Sequence, residues 1–410
     1  MAWRALVTLL GAVVLAFSAP ASAQKAEGLA LTPPMGWNSW NHYGCNIDET
    51  LIKRTADALV SSGLRDAGYV YVNLDDCWHG ARDEAGNIQP DPQRFPSGMK
   101  ALGDYLHQRG LRFGIYSDAG ATTCAGRPGS QGHEFQDAAQ YARWGVDYVK
   151  YDWCATGEGE AQRNPREAYA TMSRAIAASG RPMVLSICEW GDNEPWLWGK
   201  PHGHLWRTTG DIINCWDCTV GHGSWSSSGV LPILDKQEAL RAHSGPDGWN
   251  DPDMMEVGNL PTLEENRSHF AMWAMLSAPL ILGTDVPALK PEIRDILANP
   301  RIVAIGQDKL GIAAFRWIAT PQVEIWAKPL DGGRWAIAAL NRTGEPRELA
   351  IDWRRFGELK DDLKGFRADF AQQTFGLTEA WTGREAGTTA TVLTRKLVPR
   401  DTLVFTLTPR

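Results

Sequence analysis

Short apolar segments alternate with amphipathic segments from about residue 31 to residue 306. Eight of the apolar segments are rich in β-branched and aromatic side chains, which is typical of buried parallel strands. The predicted strands are Met35–Trp40, Tyr69–Asp76, Arg112–Asp118, Val146–Trp153, Pro182–Trp190, Leu205–Ile212, Gly248–Met254 and Ser277–Asp285. The amphipathic segments between them have the apolar period of helices, and several end at a glycine.

The predicted helices occupy most of the intervals between these strands. They are Leu51–Ala67, Gly98–Arg109, Phe135–Trp144, Pro165–Ser179, Lys236–His243, Thr262–Leu276 and Lys290–Leu297. Eight strands that alternate with helices predict a (β/α)8 barrel, or TIM barrel, over residues 24–306. A doubly wound open sheet is the alternative, and the lack of a glycine-rich phosphate-binding motif favours the barrel.

The pattern changes after about Leu310, where short alternating runs replace the helices. These runs are Ala313–Ile318, Val323–Lys328, Arg334–Asn341, Arg347–Ile351, Thr389–Leu393 and Thr402–Leu407. Turn sequences such as Asp331-Gly332-Gly333 separate them. Residues 307–410 are therefore predicted to form an antiparallel β-sandwich that follows the barrel.

The first 23 residues have the features of a secretory signal peptide. Arg4 supplies the positive charge, Ala5–Phe17 is apolar, and Ala21-Ser22-Ala23 is a small-residue cleavage site. We therefore expect export to the periplasm or the medium, where disulfides can form. The chain has seven cysteines, so at least one is left without a partner within the chain.

Composition limits the class of protein. With 43% hydrophobic and 22% charged residues, the chain can bury a large core and stay in solution. The net charge is -7 and no Lys/Arg-rich run occurs, so neither nucleic acid nor a membrane is expected as a partner. The chain also has 19 tryptophans, whose flat apolar faces stack on sugar rings as well as filling cores.

Charged residues, most of them carboxylates, and aromatic residues gather at the carboxyl ends of the predicted strands. The residues are Trp37, Trp40, Asp75, Asp76, Tyr116, Asp118, Lys150, Asp152, Glu189, Trp190, Arg207, Asp211, Asp251, Asp253 and Asp285. Strand ends meet at one face of a barrel, and like charges crowded together destabilise a fold. So many acids at one face therefore indicate a functional site rather than structural ion pairs.

Two chemistries use such a set of acids. Glycoside hydrolysis needs two carboxylates, and the remaining acids would accept hydrogen bonds from sugar hydroxyls. A divalent metal site could use Asp75, Asp76, Asp251 and Asp253, but no histidine accompanies them, and the tryptophans favour a sugar. Metal and cofactor are therefore not expected. A non-catalytic sugar-binding protein on a hydrolase scaffold is a further alternative.

Lys150 and Asp152 lie two residues apart and so share a face of their strand. The Lys150 ammonium would keep Asp152 ionised, which suits a nucleophile, although a purely structural ion pair is the alternative. Arg207 precedes Asp211 by four residues, so whether they share a face depends on how regular that strand is. Asp211 follows Gly210, which fits a loop position for an acid/base.

Long motifs in both halves of the chain resemble the α-galactosidases of glycoside hydrolase family 27. They are Pro34-Met35-Gly36-Trp37-Asn38-Ser39-Trp40-Asn41, Asp75-Asp76-Cys77-Trp78, Gly114-Ile115-Tyr116-Ser117-Asp118-Ala119-Gly120, Lys150-Tyr151-Asp152-Trp153-Cys154, Cys188-Glu189-Trp190, Trp206-Arg207-Thr208-Thr209-Gly210-Asp211-Ile212 and Gly248-Trp249-Asn250-Asp251-Pro252-Asp253-Met254. The resemblance runs from Leu31 to the end of the chain.

The resemblance implies a retaining α-galactosidase. Asp152 would be the nucleophile and Asp211 the acid/base, with their carboxyl groups about 5–5.5 Å apart. It also implies a substrate pocket formed by Trp40, Asp75, Asp76, Tyr116, Cys124, Lys150, Cys154, Glu189, Trp190, Arg207 and Asp253. The substrates would be oligosaccharides or polysaccharide side chains that end in α-linked galactose.

The resemblance also bears on the cysteines and on specificity. It implies the disulfides Cys45–Cys77 and Cys124–Cys154. The CxxC spacing of Cys215 and Cys218 indicates a local disulfide or two thiols, and if these two pair, Cys188 is left as a thiol. An α-N-acetylgalactosaminidase would need small residues in place of Glu189-Trp190, and a β-L-arabinopyranosidase would differ at Asp75-Asp76. Trp153 stands where relatives often carry Gly or Asn, so it could narrow the entrance or contact the leaving group.

Overall fold

The computed structural model describes residues 25–410. The predicted signal peptide, residues 1–23, lies outside the described residues. Within the described part of the chain, no helix is both long enough and apolar enough to cross a bilayer. The chain folds into an eight-stranded parallel sheet surrounded by helices, followed by an antiparallel β-sandwich.

All eight predicted barrel strands are present; Arg112–Asp118 has the predicted bounds, and the other seven are shorter than expected. They are β1 Met35–Asn38, β2 Tyr71–Leu74, β3 Arg112–Asp118, β4 Tyr148–Asp152, β5 Val184–Ile187, β6 Leu205–Arg207, β7 Trp249–Asp251 and β8 Leu280–Leu282. The strands are parallel neighbours in chain order from β1 to β7, and β8 pairs with β1. A parallel bridge between Met255 and Leu282 joins the two edges and closes the barrel.

Helices cover the outside of the barrel. Their bounds are α1 Trp40–Tyr43, α2 Glu49–Ser61, α3 Gly98–His107, α4 Glu134–Trp144, α5 Pro165–Ala178, α6 Pro195–Trp198, α7 Val230–Leu240, α8 Leu263–Met275, α9 Pro291–Leu297 and α10 Pro300–Gly306. Helix α2 ends before the predicted Ala67 because Gly63, with φ of 82°, turns the chain. The prediction did not include α1, α6 or α10.

Two antiparallel hairpins extend the loops at the top of the barrel. The first, His79–Arg82 with Ile88–Pro90, follows β2. The second, Thr219–Gly221 with Ser226–Ser228, follows β6. Both loops also carry predicted site residues, so the hairpins belong to the face of the barrel where a site is expected.

The C-terminal part is a six-stranded antiparallel sheet that packs against two smaller antiparallel sheets. In sheet order, the larger sheet contains Phe315–Ala319, Val323–Leu330, Arg334–Asn341, Thr402–Pro409, Phe375–Glu379 and Glu385–Thr388. The smaller sheets pair Arg347–Ile351 with Leu393–Leu397 and Glu358–Asp361 with Phe366–Asp369, and a short helix, α11, spans Trp353–Phe356. The predicted strand Thr389–Leu393 is wrong, since residues 389–392 form a turn and the strand begins at Leu393.

The sandwich packs directly on the barrel. The buried Lys328 of the sandwich donates to the carbonyl oxygens of Ala274 (2.9 Å) and Ile305 (2.6 Å) and to the Ser277 hydroxyl (2.8 Å). Arg241 of the barrel binds Asp361 of the sandwich through two hydrogen bonds of 2.6 and 3.1 Å. Helix α8 lies between the two parts and contacts both, so nearly all of its side chains are buried.

Candidate active site

A pocket opens at the carboxyl ends of the barrel strands, which is where the sites of such barrels lie. It is lined by Trp40, Asn41, Asp75, Asp76, Tyr116, Cys124, Lys150, Asp152, Trp190, Arg207, Asp211, Asp253 and Met254. Eleven of these thirteen residues were predicted from the sequence. The structure therefore brings most of the predicted site residues together around one cavity.

Asp152 ends β4 and lies at the wall of the pocket, where it is almost fully buried. The amide of Trp153 donates to its Oδ1 at 3.0 Å, and its Oδ2 lies 3.6 Å from Cys124 Sγ. Burial raises the pKa of Asp152, the positive charge of Lys150 lowers it, and the resulting pKa is about 6. Asp152 is therefore poised to be ionised near neutral pH.

Lys150 contacts Asp75, which lies two strands away across the pocket. Its Nζ donates to Asp75 Oδ2 at 2.8 Å, and the Asn38 side chain donates to the same oxygen at 2.7 Å. The amide of Asp75 donates to the Ser39 hydroxyl at 3.0 Å. These contacts fix the Asp75 carboxylate, while the charge of Lys150 still acts on Asp152.

Asp76 is held by groups from its own loop and from the loop after β3. Its carboxylate accepts hydrogen bonds from the amide of Cys77 (2.6 Å), the hydroxyl of Thr123 (2.9 Å) and the amide of Ala125 (2.9 Å). Burial raises the pKa of Asp76, and these three hydrogen bonds oppose that effect. The paired acids Asp75 and Asp76 thus reach the pocket in fixed orientations.

Arg207, at the end of β6, binds two carboxylates at once. Its Nη2 lies 3.0 Å from Asp211 Oδ1 and 2.9 Å from Asp253 Oδ2. Asp253 has a φ of 87°, a strained conformation for a residue other than glycine, and also accepts a hydrogen bond from the amide of Ile212 at 2.8 Å. Arg207 and Asp253 are buried, whereas the side chain of Asp211 is 42% exposed at the pocket mouth.

Two predicted substrate contacts do not line the pocket. Glu189 is fully buried beneath its own loop, where it accepts hydrogen bonds from the amides of Gly191 (3.1 Å) and Asn193 (2.6 Å). Burial raises the pKa of Glu189 to about 7. Cys154 forms a disulfide with Cys124, and of these two cysteines only Cys124 lines the cavity. Trp190 forms the part of the wall expected for Glu189.

Trp153 does not reach the entrance. Its side chain is buried and stacks on Tyr169, with ring centroids 5.6 Å apart and an angle of 22° between the ring planes. The hypothesis that Trp153 narrows the entrance or contacts the leaving group is therefore wrong. Its indole is part of the layer between β4 and α5.

The cysteines pair as Cys45–Cys77, Cys124–Cys154 and Cys215–Cys218, and Cys188 is a buried thiol. Within residues 25–410, the one cluster with metal-ligand spacing is Asp118, Cys124 and Cys154, but both of its cysteines are in a disulfide. The four acids of the alternative metal site do not form such a cluster. Two of them, Asp75 and Asp253, are instead paired with Lys150 and Arg207.

Three residues near the pocket were not assigned a role from the sequence. Asn41 and Met254 line the cavity, and each lies at the end of a motif that pointed to the site. Asp118 lies opposite Asp152 in the β3–β4 pairing and accepts hydrogen bonds from the amides of Gly120 (2.6 Å) and Cys154 (2.9 Å). Burial and the charge of Asp152 raise the pKa of Asp118 to about 8.

A (β/α)8 barrel whose strand-end pocket contains a buried carboxylate, a second carboxylate at the mouth and aromatic walls has the architecture of a glycoside hydrolase. The family model for alpha galactosidase A matches residues 32–308, and the model for the alpha galactosidase C-terminal beta sandwich domain matches residues 320–407. The chain belongs to the α-galactosidase family, glycoside hydrolase family 27.

Similar proteins match over most of their length. The alpha-galactosidase A of Cellvibrio japonicus is 55% identical over 396 residues, which are 97% of this chain and 96% of that protein. The solved structure of alpha-galactosidase I from Mortierella vinacea has a TM-score of 0.84 and 33% identity, covering 93% of this chain and 98% of the other. The α-galactosidase of Saccharomyces cerevisiae, solved with raffinose, has a TM-score of 0.86 and 29% identity, covering 95% and 99%.

Proposed function

We propose that this protein removes terminal α-linked D-galactose from oligosaccharides or polysaccharide side chains by a retaining double displacement. The observation that supports this most directly is that Asp152 and Asp211 line the same pocket. Asp152 is buried beside Cys124 and feels the charge of Lys150, which suits a nucleophile. Asp211 lies at the mouth, where a leaving group would depart.

In the first step, Asp152 attacks the anomeric carbon and the bond from that carbon to the leaving oxygen breaks. Asp211 transfers its proton to that oxygen, so the leaving group departs as a neutral alcohol. In the second step, Asp211 takes a proton from water, and the resulting hydroxide attacks the anomeric carbon. Asp152 is released as a carboxylate, and galactose leaves with its original anomeric configuration.

The walls of the pocket support galactose as the sugar. Asp75, Asp76 and Lys150 present fixed polar groups that can bind the hydroxyls on the C4 and C6 side. Rigid groups of this kind reject sugars that lack a matching hydroxyl, which disfavours an arabinopyranoside. Trp190 occupies wall space that an acetamide would need, which disfavours an N-acetylgalactosaminide.

We also propose that the chain is exported and has two domains. Arg4, Ala5–Phe17 and Ala21–Ala23 support cleavage after residue 23, and the disulfides are compatible with an oxidising compartment. The mature protein would then comprise a catalytic barrel over residues 24–306 and a β-sandwich over residues 307–410. N-terminal sequencing of the secreted protein would test the cleavage site.

Hydrolysis of methyl α-D-galactopyranoside by the wild-type protein and by Asp152→Asn tests the proposed activity. The wild-type should release galactose whose first-formed anomer is α by proton NMR, and Asp152→Asn should lose almost all turnover with its fold intact. Asp285→Asn is a matched control, because Asp285 follows β8 at the same face but does not line the pocket. A first-formed β anomer, or appreciable activity in Asp152→Asn, would contradict the mechanism.

Comparison of the α-galactoside with a β-L-arabinopyranoside tests the assignment of the sugar. The wild-type should prefer the galactoside because the pocket retains both Asp75 and Asp76. A preference for the arabinoside would leave the catalytic pair in place but contradict the proposed pocket wall. Turnover of neither substrate would favour a non-catalytic sugar-binding protein.

A further inference from the structure

The hairpin after β6 is fixed to the backbone of the proposed acid/base. The amide of Ser228 donates to the carbonyl oxygen of Asp211 at 2.9 Å, and the amide of Ile213 donates to the carbonyl oxygen of Ser228 at 2.9 Å. The carbonyl oxygen of Ser226 approaches Gly210 so closely that a Cβ there would lie 2.8 Å from it. The hairpin therefore lies alongside residues 210–212, within one strand spacing of Asp211.

The base of the hairpin is held firmly. The disulfide between Cys215 and Cys218 closes the loop that leads into it. The carbonyl oxygens of the same two cysteines accept hydrogen bonds from the amides of Val230 (3.0 Å) and Gly229 (2.8 Å), where the hairpin returns to α7. The position of the hairpin tip is thus set relative to the pocket.

The tip presents an aromatic pair to solvent. Trp225 is 54% exposed, and the ring of His222 stacks on it with centroids 4.1 Å apart and an angle of 27° between the ring planes. The amide of His222 donates to the Trp225 carbonyl oxygen at 2.8 Å, and its Nε2 lies 2.9 Å from the hydroxyl of the buried Ser227. Both rings therefore have a fixed orientation before any ligand binds.

Trp225 keeps a large apolar face in water, and covering that face with another apolar surface would be favourable. Flat aromatic faces stack on the apolar faces of sugar rings, and a ring fixed in advance loses little entropy on binding. The acid/base protonates the glycosidic oxygen, so the leaving group emerges on the side of Asp211. The hairpin carrying Trp225 borders that side.

We infer that Trp225 and His222 form an outer subsite that binds a sugar of the leaving group. This inference rests on the proposed function and specifies its substrates, which are α-galactosides with a saccharide leaving group. Trp153, the other candidate for such a contact, is buried against Tyr169 and unavailable. The outer subsite adds binding for extended substrates without taking part in bond cleavage.

The test compares raffinose, whose leaving group is a disaccharide, with methyl α-D-galactopyranoside, whose leaving group is methanol and contains no sugar. In Trp225→Ala, kcat/KM for raffinose should fall about three- to tenfold, as expected for one lost aromatic contact, mainly through a higher KM. The kcat/KM of Trp225→Ala for the methyl glycoside should equal that of the wild-type protein. Trp225→Phe should recover part of the loss, and His222→Ala should give a smaller loss in the same direction.

Phe356→Ala is the matched control, since Phe356 is an aromatic residue of the sandwich with 41% exposure. It should affect neither substrate. Equal losses on both substrates in Trp225→Ala would mean that the hairpin only supports Asp211, and this result would overturn the outer subsite. Unchanged kcat/KM for both substrates would also overturn the outer subsite. If Trp225→Ala did not fold, the ratio of kcat/KM for raffinose to kcat/KM for the methyl glycoside in His222→Ala would decide the question. A wild-type protein inactive on both raffinose and the methyl glycoside would instead contradict the proposed function.

Discussion

Lys150 donates a hydrogen bond to Asp75 at 2.8 Å, although Asp152 lies only two residues away on the same face of its strand. The buried ion pair links β4 to the loop after β2, and the same positive charge lowers the pKa of Asp152. One lysine therefore fixes an acid of the proposed sugar site and assists ionisation of the proposed nucleophile. This double role gives two predictions.

Lys150→Met should destabilise the protein by about 3–5 kcal/mol, because it leaves the Asp75 carboxylate buried without its cation. Urea unfolding monitored by tryptophan fluorescence would measure the change. Lys53→Met is the control, since Lys53 pairs with Glu49 near the surface and should contribute less than about 1 kcal/mol. Equal effects of the two substitutions would argue against a strong Lys150–Asp75 pair.

The pH dependence of kcat/KM should have an acidic limb near the Asp152 pKa of about 6. Activity should fall as the pH drops below this value, because the protonated acid cannot attack the anomeric carbon. In Lys150→Met the limb should move to higher pH, since the charge that lowers the Asp152 pKa is lost. A limb that moved to lower pH would contradict this assignment, and Lys53→Met should leave it in place.

Gly120→Ala should disturb the active site through backbone contact. A Cβ at Gly120 would lie 2.0 Å from the carbonyl oxygen of Cys154, two residues beyond Asp152. We expect a loss of about 1–3 kcal/mol in the free energy of unfolding and a clear drop in kcat. Gly344→Ala, at a site with open space around it, is the control and should leave both quantities unchanged. Wild-type kcat in Gly120→Ala would show that the loop tolerates displacement.

Removing the disulfide next to Asp152 should impair both stability and turnover. Cys124 and Cys154 are 30 residues apart, so replacing both with alanine should destabilise the protein by roughly 3–4 kcal/mol through the entropy of the unfolded chain. Cys215 and Cys218 are only 3 residues apart, so the same replacement there should remove roughly 2 kcal/mol. Thermal unfolding and turnover of the two double variants would test this order, and the opposite order would contradict it.

The barrel could be predicted from the sequence because its strands are short apolar runs that end in polar residues. Parallel strands buried on both faces leave this pattern without any knowledge of the fold. The strand Glu358–Asp361 could not be found in the same way, since its sequence Glu-Leu-Lys-Asp has one apolar residue and its partner strand, Phe-Arg-Ala-Asp, has only two. The end of α2 was missed because the helical period continues past Gly63.

Predictions within the site failed where a loop sets the direction of a side chain. Glu189 follows β5 in a motif that pointed to the pocket, but Trp190 has a φ of 58°, and Glu189 turns back to cap amides of its own loop. Trp153 follows an inward-facing Asp152, so the alternation of the strand turns it outward toward Tyr169. The partner of Lys150 depends on curvature of the barrel, which one strand's sequence does not encode.

The position of Lys328 has a consequence for recombining parts of related enzymes. Its ammonium group reaches the outer helices of the barrel and binds the carbonyl oxygens of Ala274 and Ile305 at the C-terminal ends of α8 and α10. A barrel cut off after residue 306 would expose the face of α8 that carries Ser268, which binds Thr402 of the sandwich, and it would leave these carbonyls without their donor. We therefore expect the barrel to depend on the sandwich for stability, and a sandwich from a relative should support this barrel best if it carries a donor at the same place.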